Sequence, residues 1–163
     1  MEKEFRYNFY YKILRSDKSS ISMQYKIGIN VLPDKYNINN PCQGIYFTTR
    51  ENILHYINYG TIIAEIRIPY DAHVIEDSEQ MSIHEPFING WRSDKIIIIN
   101  FYNISNYSDF LWFMSGKNKS IITKEFVKWA LYNNSIIWNY LNDNYHDYCV
   151  DVIKTIEQRE LDI

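Results

Sequence analysis

Through the first hundred residues the apolar positions recur at the short period of strands. Residues 5–14 carry five aromatics among Phe5, Tyr7, Phe9, Tyr10 and Tyr11 and predict a strand. The polar run 16–20 predicts a turn. Over 21–29 Ile21, Met23, Tyr25, Ile27 and Ile29 alternate with polar residues, the pattern of a half-buried strand that forms a hairpin with 5–14. A loop is expected over 33–42 and a short strand over 44–48. A helix is expected over about 49–58, with Thr48 and Glu51 as a capping box and Gly60 as terminator. The next strand covers 61–68 and stops at Pro69. Residues 70–94 read as an excursion, rich in acids and broken by Pro86. Ile96, Ile97, Ile98 and Ile99 then predict a strand buried on both faces and central in the sheet.

After residue 105 the period becomes helical. An aromatic cluster lies at 107–114, and Thr123 can cap a helix reaching about residue 133, with Phe126, Trp129 and Ala130 inward. Ser135 can cap a second helix that turns Ile136, Ile137, Tyr140 and Leu141 to one side. A last helix over about 147–160 places Cys149, Val152, Ile153 and Ile156 on one stripe. Strands first and helices afterwards predict an α+β fold. It has a mixed or antiparallel sheet with one inserted helix, and a helical tail of three or four helices packed on it. The expected organisation is one domain over 1–163, β-rich over 1–104 and helical over 105–163.

Length and charge narrow the function classes. A chain of 163 residues buries enough surface to fold without a staple. A net charge of -3 supplies no basic excess for a phosphate backbone, so broad nucleic-acid binding is not expected. The longest apolar runs are too short for a membrane span, and the charged start Met1-Glu2-Lys3-Glu4 does not resemble a signal peptide. Two cysteines, Cys42 and Cys149, are expected to be reduced thiols inside a cell. The 27 Ile against 7 Leu and 5 Val, with 17 Asn and 15 Tyr, exceed what packing asks for and point to AT-rich codons.

Motifs that carry chemistry are sparse. The histidines His55, His73, His84 and His146 have no metal-ligand spacing, so no metal is expected. There is no GxSxG elbow, and the five glycines form no phosphate loop. Cys42 reads as a loop residue and Cys149 as a small core hydrophobe. Glu76, Asp77, Glu79 and Glu85 read first as a solvated loop and second as a carboxylate pair for acid–base work. Trp112, Trp129 and Trp138 at helical spacing read first as core residues and second as partner anchors, because Trp is enriched at interface hot spots.

One combination is more specific. Tyr11-Lys12-Ile13-Leu14, Lys26-Ile27-Gly28-Ile29-Asn30 and Cys42-Gln43-Gly44-Ile45-Tyr46-Phe47-Thr48 resemble the N-terminal domain of a giant-virus (mimivirus-like) protein family of amoebae. Many of its members are described as ankyrin-repeat proteins. The resemblance covers about residues 8–104. Residues 124–143 look like one degenerate ankyrin helix pair within about 123–143, without a second copy or the Thr-Pro-Leu-His signature. A single repeat cannot bury its own face, so this pair must pack on the sheet or on a partner. The resemblance implies a non-enzymatic protein-interaction module without cofactor. It would act in the host cytoplasm or viral factory on a host or viral protein or a second copy of itself.

The strand order also looks like the mono-ADP-ribosyltransferase folds. That resemblance implies NAD held by Arg6 or Lys12 with Tyr46, Thr48 and Thr49. Glu65, Glu76 and Glu85 then compete as the acting carboxylate, Glu85 being carried forward as the site residue.

Overall fold

The computed structural model describes residues 8–20, 23–40, 43–76, 90–116 and 119–161. Seven strands form one antiparallel sheet: β1 (Tyr10–Leu14), β4 (Gly28–Val31), β5 (Ile45–Thr48), β6 (Ile62–Arg67), β7 (Val74–Glu76), β8 (Gly90–Ser93) and β9 (Lys95–Asn103). Their spatial order is β4-β9-β6-β1-β5-β8-β7. Two short strands, β2 (Ser19–Ser20) and β3 (Met23–Gln24), pair separately. Four helices follow: α1 (Tyr107–Met114), α2 (Lys124–Asn133), α3 (Ser135–Asn144) and α4 (His146–Leu161). Strands before helices make this the expected α+β fold.

The centre of the sheet is β1, all five of whose residues are buried. Its neighbours are β6, in register from Tyr10↔Ile66 to Leu14↔Ile62, and β5, through Tyr11↔Thr48. The four-isoleucine stretch is not central. It lies in β9, one strand from the edge, with Ile96 and Ile98 buried, Ile97 half-buried and Ile99 exposed. A bulge explains the last of these: Asn100 pairs with Glu65 and Ile98 with Ile66, which leaves Ile99 without a partner on β6. Among the described residues Ile99 is exposed to solvent, as the general excess of Ile allows.

The expected hairpin between 5–14 and 21–29 does not form. The segments lie at different places in the sheet, since β4 pairs with β9 at one edge. Tyr25 is buried while Ile27 and Ile29 are exposed, and Gly28 at φ +96° breaks the alternation. The expected excursion over 70–94 contributes β7 and β8, which extend the sheet beyond β5. Of the acids placed there, Glu76 ends β7 exposed, and Asp77, Glu79 and Glu85 lie outside the described residues.

The inserted helix is a 3-10 turn, Ile53–Tyr59, capped by no side chain. Thr48 is a buried β5 residue, so the Thr48–Glu51 capping box does not exist. Gly60 follows the turn as its C-cap, at a position where a Cβ would collide with the Leu14 carbonyl. Thr123 caps α2 as expected, accepting from the Phe126 N–H at 3.1 Å while its hydroxyl donates to the Leu54 carbonyl. The cap of α3 is Asn134, not Ser135: its side chain accepts from the Ile137 N–H.

The helices lie against the sheet. One continuous core joins Tyr11, Ile13, Ile63 and Tyr102 of the strands to Phe110, Phe126, Ile137, Leu141, Cys149 and Val152 of the helices. Phe126 stacks on Phe110 at 5.8 Å and on Trp129 at 5.5 Å. The ankyrin-like pair, α2 and α3, therefore buries its apolar face within its own chain, against the Ile53–Tyr59 turn, α1 and α4. A second core on the other side of β1 holds Tyr10, Leu14, Tyr25, Phe47, Ile66 and Ile98. No helix among the described residues is long and apolar enough to cross a membrane.

Candidate functional site

Alternation along β1 sends Tyr11 toward the helices and Lys12 to the opposite side. Tyr11 and Glu65 are cross-strand partners, which sets their side chains next to each other, and the Tyr11 hydroxyl donates to Glu65 Oε2 at 3.1 Å. Above them the last turn of α1 supplies Trp112 and Phe113, followed by Ser115. Arg50, two residues beyond the end of β5, reaches in from the side. With Tyr102 these residues line a cleft of about 260 Å³.

Arg50 is held from several directions. A guanidinium N–H donates to the Phe113 carbonyl at the C-terminal end of α1, where cations are favoured by the helix dipole. Its guanidinium carbon lies 4.8 Å from the Phe113 ring centre and 5.9 Å from that of Tyr11. Its Nε is buried with no hydrogen-bond partner. Burial pushes the Tyr11 hydroxyl up to about 12. The Glu65 carboxylate adds to this shift, and the Arg50 charge opposes it. Trp112 stands at the rim, 64% exposed. The cleft thus offers one fixed cation, one carboxylate, phenol hydroxyls and an exposed indole: a small surface that can hold a polar group under an aromatic edge.

Lys12 is buried on the far side of the strand. Its Nζ donates to the Tyr46 carbonyl at 2.9 Å and lies 5.5 Å from the Tyr25 ring centre. Strands β1 and β5 are in register at Tyr11↔Thr48, so the ammonium takes a strand carbonyl that lies beyond that pair. No carboxylate answers it among the described residues, and burial lowers its pKa to about 8. Burial likewise pushes Tyr25 up to about 12.

Of the residues expected to hold NAD, Lys12, Tyr46, Thr48 and Thr49 are among the described residues. Lys12 meets Tyr46 only through the backbone, on the side away from the cleft. Thr48 is buried beside Tyr11, Thr49 is half-buried, and Arg6 and Glu85 lie outside the described residues. None of the four described ones, Lys12, Tyr46, Thr48 and Thr49, lines the cleft; two of its lining residues, Tyr11 and Arg50, are immediate sequence neighbours of Lys12 and Thr49. Of the three tryptophans in the helical part, Trp112 alone is exposed. Trp129 stacks on Phe126, and Trp138 packs half-buried against the helical core. Cys149 is a buried free thiol whose pKa burial raises, and Cys42 and His84 lie outside the described residues.

Sequence reading missed Arg50, Tyr102, Phe113 and Ser115 as one constellation. The available signal was Glu65, a lone acid inside the apolar strand 62–66, with Tyr11 opposite once the register is known. A buried acid needs a partner, and its partner marks the site.

No family model matches the chain, and no solved structure matches it. A search of curated proteins finds a protein of Acanthamoeba polyphaga mimivirus described as an ankyrin repeat protein. It is 26% identical over 112 residues, or 65% of this chain. The chain spans about a third, 35%, of that relative's length. The similarity is a distant link to a giant-virus ankyrin-related protein.

Proposed function

We propose that this chain is a protein-interaction module of the infected host cell, engaging a host or viral protein through the Trp112-rimmed cleft between α1 and the sheet. The observation that carries this is Trp112. Two of the three tail tryptophans sit in or against the core, and this one stands 64% exposed beside Arg50, Tyr11 and Tyr102. Trp, Tyr and Arg are the residue types that dominate interface energetics, and all three line this cleft. The similarity to a giant-virus ankyrin repeat protein supports the same reading, since stacked ankyrin repeats present extended binding surfaces. The α2–α3 pair, whose apolar face is already buried against the Ile53–Tyr59 turn, α1 and α4, serves as support for α1 and not as the docking face.

The test compares proteins retained from infected-cell lysate by the immobilised wild-type chain and by Trp112→Ala, with Tyr132→Ala as a control on another exposed aromatic. Specific proteins retained by wild type and the control but lost with Trp112→Ala are the expected result. An identical set on all three contradicts the reading.

A further inference from the structure

We infer that β4 is the edge along which two copies of this chain pair, antiparallel and about a two-fold axis between their Asn30 residues, joining two sheets into one. β4 closes one end of the strand order, and no strand lies beyond it among the described residues. The Leu32 N–H donates to the Asp94 carbonyl at 2.7 Å, in the register set by Val31↔Lys95. Bonded and unbonded pairs alternate along an antiparallel ladder, so Gly28, Asn30 and Leu32 turn their peptide groups into β9. Ile29 and Val31 turn theirs outward, and their side chains are 59% and 56% exposed. Sheet edges are commonly blunted by charge, and this one is not: residues 27–33 carry no charged side chain. The opposite edge, β7, half-buries Val74 and Ile75 and ends on Glu76.

The outward groups fit a second β4 in one register. Outward residues must face outward residues. Ile29 opposite Ile29 sets Val31 against Ile27, beyond Gly28, whose φ of +96° turns the chain off the strand. Val31 opposite Val31 sets Ile29 against Pro33, which has no N–H to give. Ile29 opposite Val31 of the second copy uses every outward N–H and C=O of both strands, with two hydrogen bonds at each of the two pairs. It also gathers Ile29 and Val31 of both copies on one side of the joined sheet, with no like charges meeting across the axis. Asn30 readies the strand. Its side chain accepts from the Lys26 N–H at 3.1 Å and donates to the Lys26 and Gly28 carbonyls at 2.8 and 3.0 Å, which fixes the turn into β4 before a partner arrives.

Two paired residues per copy cover well under the roughly 800 Å² per partner of a standard interface, so the dimer is weak and forms with concentration. The pairing uses none of the residues lining the Trp112 cleft and stands whether or not that cleft takes a partner. The two-fold axis runs perpendicular to the sheet, so both clefts open on the same side and a partner with two binding segments can engage both.

The wild-type chain is followed by sedimentation velocity and by ¹⁵N-resolved amide exchange at about 5 and about 500 μM, on either side of an expected Kd of about 0.1 mM. Monomer is expected at the lower concentration and mostly dimer at the higher. Over that range the Ile29 and Val31 amides are expected to exchange about threefold more slowly, in step with the fraction left monomeric, while the Asn30 amide, already bonded to β9, keeps its rate. Ile29→Lys and Val31→Glu alter exposed positions, and each sets two like charges about 7–8 Å apart on the diagonal across the axis. Each alone is expected to weaken the dimer about tenfold. An equimolar mixture of the two is expected to return to within about threefold of wild type, since the introduced ammonium then stands opposite the introduced carboxylate.

A wild-type chain that stays monomeric at about 500 μM overturns the pairing. So does a dimer in which Ile29 and Val31 keep their exchange rates, a reading that needs no variant. Two variants that dimerise like wild type, or a mixture no stronger than its components, place the contact on another surface or in another register and overturn it as well.

Discussion

Tyr11 and Lys12 are consecutive residues of the central strand, 5% and 7% exposed, and they lie in opposite chemical settings. Toward the helices, the Tyr11 phenol hydrogen-bonds the Glu65 carboxylate with the Arg50 cation close by, and the group opens into a cleft. Away from the helices, the Lys12 ammonium has a peptide carbonyl and an aromatic ring and no counter-charge among the described residues. The same depth of burial therefore gives a satisfied polar cluster on one side and an uncompensated cation on the other. Charge is affordable in a sheet interior where an opposite charge shares the site, and it strains stability where none does.

The largest expected effect lies in the layer that supports the cleft. Phe126, fully buried and stacked on both Phe110 and Trp129, joins α2 to α1 within the core that the helices share with the sheet. Phe126→Ala is expected to lower the unfolding free energy in urea by about 3–5 kcal/mol. A loss below about 1 kcal/mol would mean that the helices and sheet do not share one core.

The Lys12 side breaks the comparison in the other direction. Burial lowers the folded lysine to about 8 from its usual 10.5, so between these values the unfolded chain binds a proton that the folded chain has released. Stability must then rise with pH over that window. Tyr11 and Tyr25 act oppositely: their folded hydroxyls hold protons to about 12, while unfolded tyrosines release them near 10. The expected profile climbs from about pH 8 to about 10 and falls above it. Lys12→Met is expected to remove the climb and to be about 2 kcal/mol more stable at pH 7, after the loss of the hydrogen bond to Tyr46. Chemical denaturation across pH 7–11 reads both; a flat wild-type profile would place a counter-ion on Lys12.

Sequence reading recovered the helical half in most of its detail. Helical periodicity and an oxygen-bearing cap are local properties, so Thr123 and the stripe Cys149, Val152 and Ile156 were visible in the chain itself. The sheet was legible in its class and not in its order, because pairing is non-local. Nothing near Ile96–Ile99 says that β6 shifts register at Glu65/Ile66 and leaves Ile99 exposed. The cleft was hidden for the same reason. Tyr11, Arg50, Glu65, Tyr102 and Trp112 span a hundred residues and meet only once β1, β6, β9 and α1 are assembled.

Two smaller effects sharpen the contrast between support and surface. Thr123→Ala removes the α2 cap and the bond to the Leu54 carbonyl, and is expected to cost about 1.5 kcal/mol in urea denaturation. Thr123→Ser should recover most of it, since the hydroxyl is retained. Trp112→Ala is expected to change stability by less than about 0.5 kcal/mol, because the side chain is mainly exposed. A large loss there would make Trp112 a structural residue.

The most direct test of the docking site places a photo-crosslinking p-benzoylphenylalanine at position 112 and, separately, at position 132, where Tyr132 is 60% exposed on α2. Irradiation in infected cells is expected to give a discrete crosslinked partner from position 112 and none from 132. A partner captured at 132 and absent at 112 would contradict the account, because docking would then run over α2 and not over the Trp112 cleft.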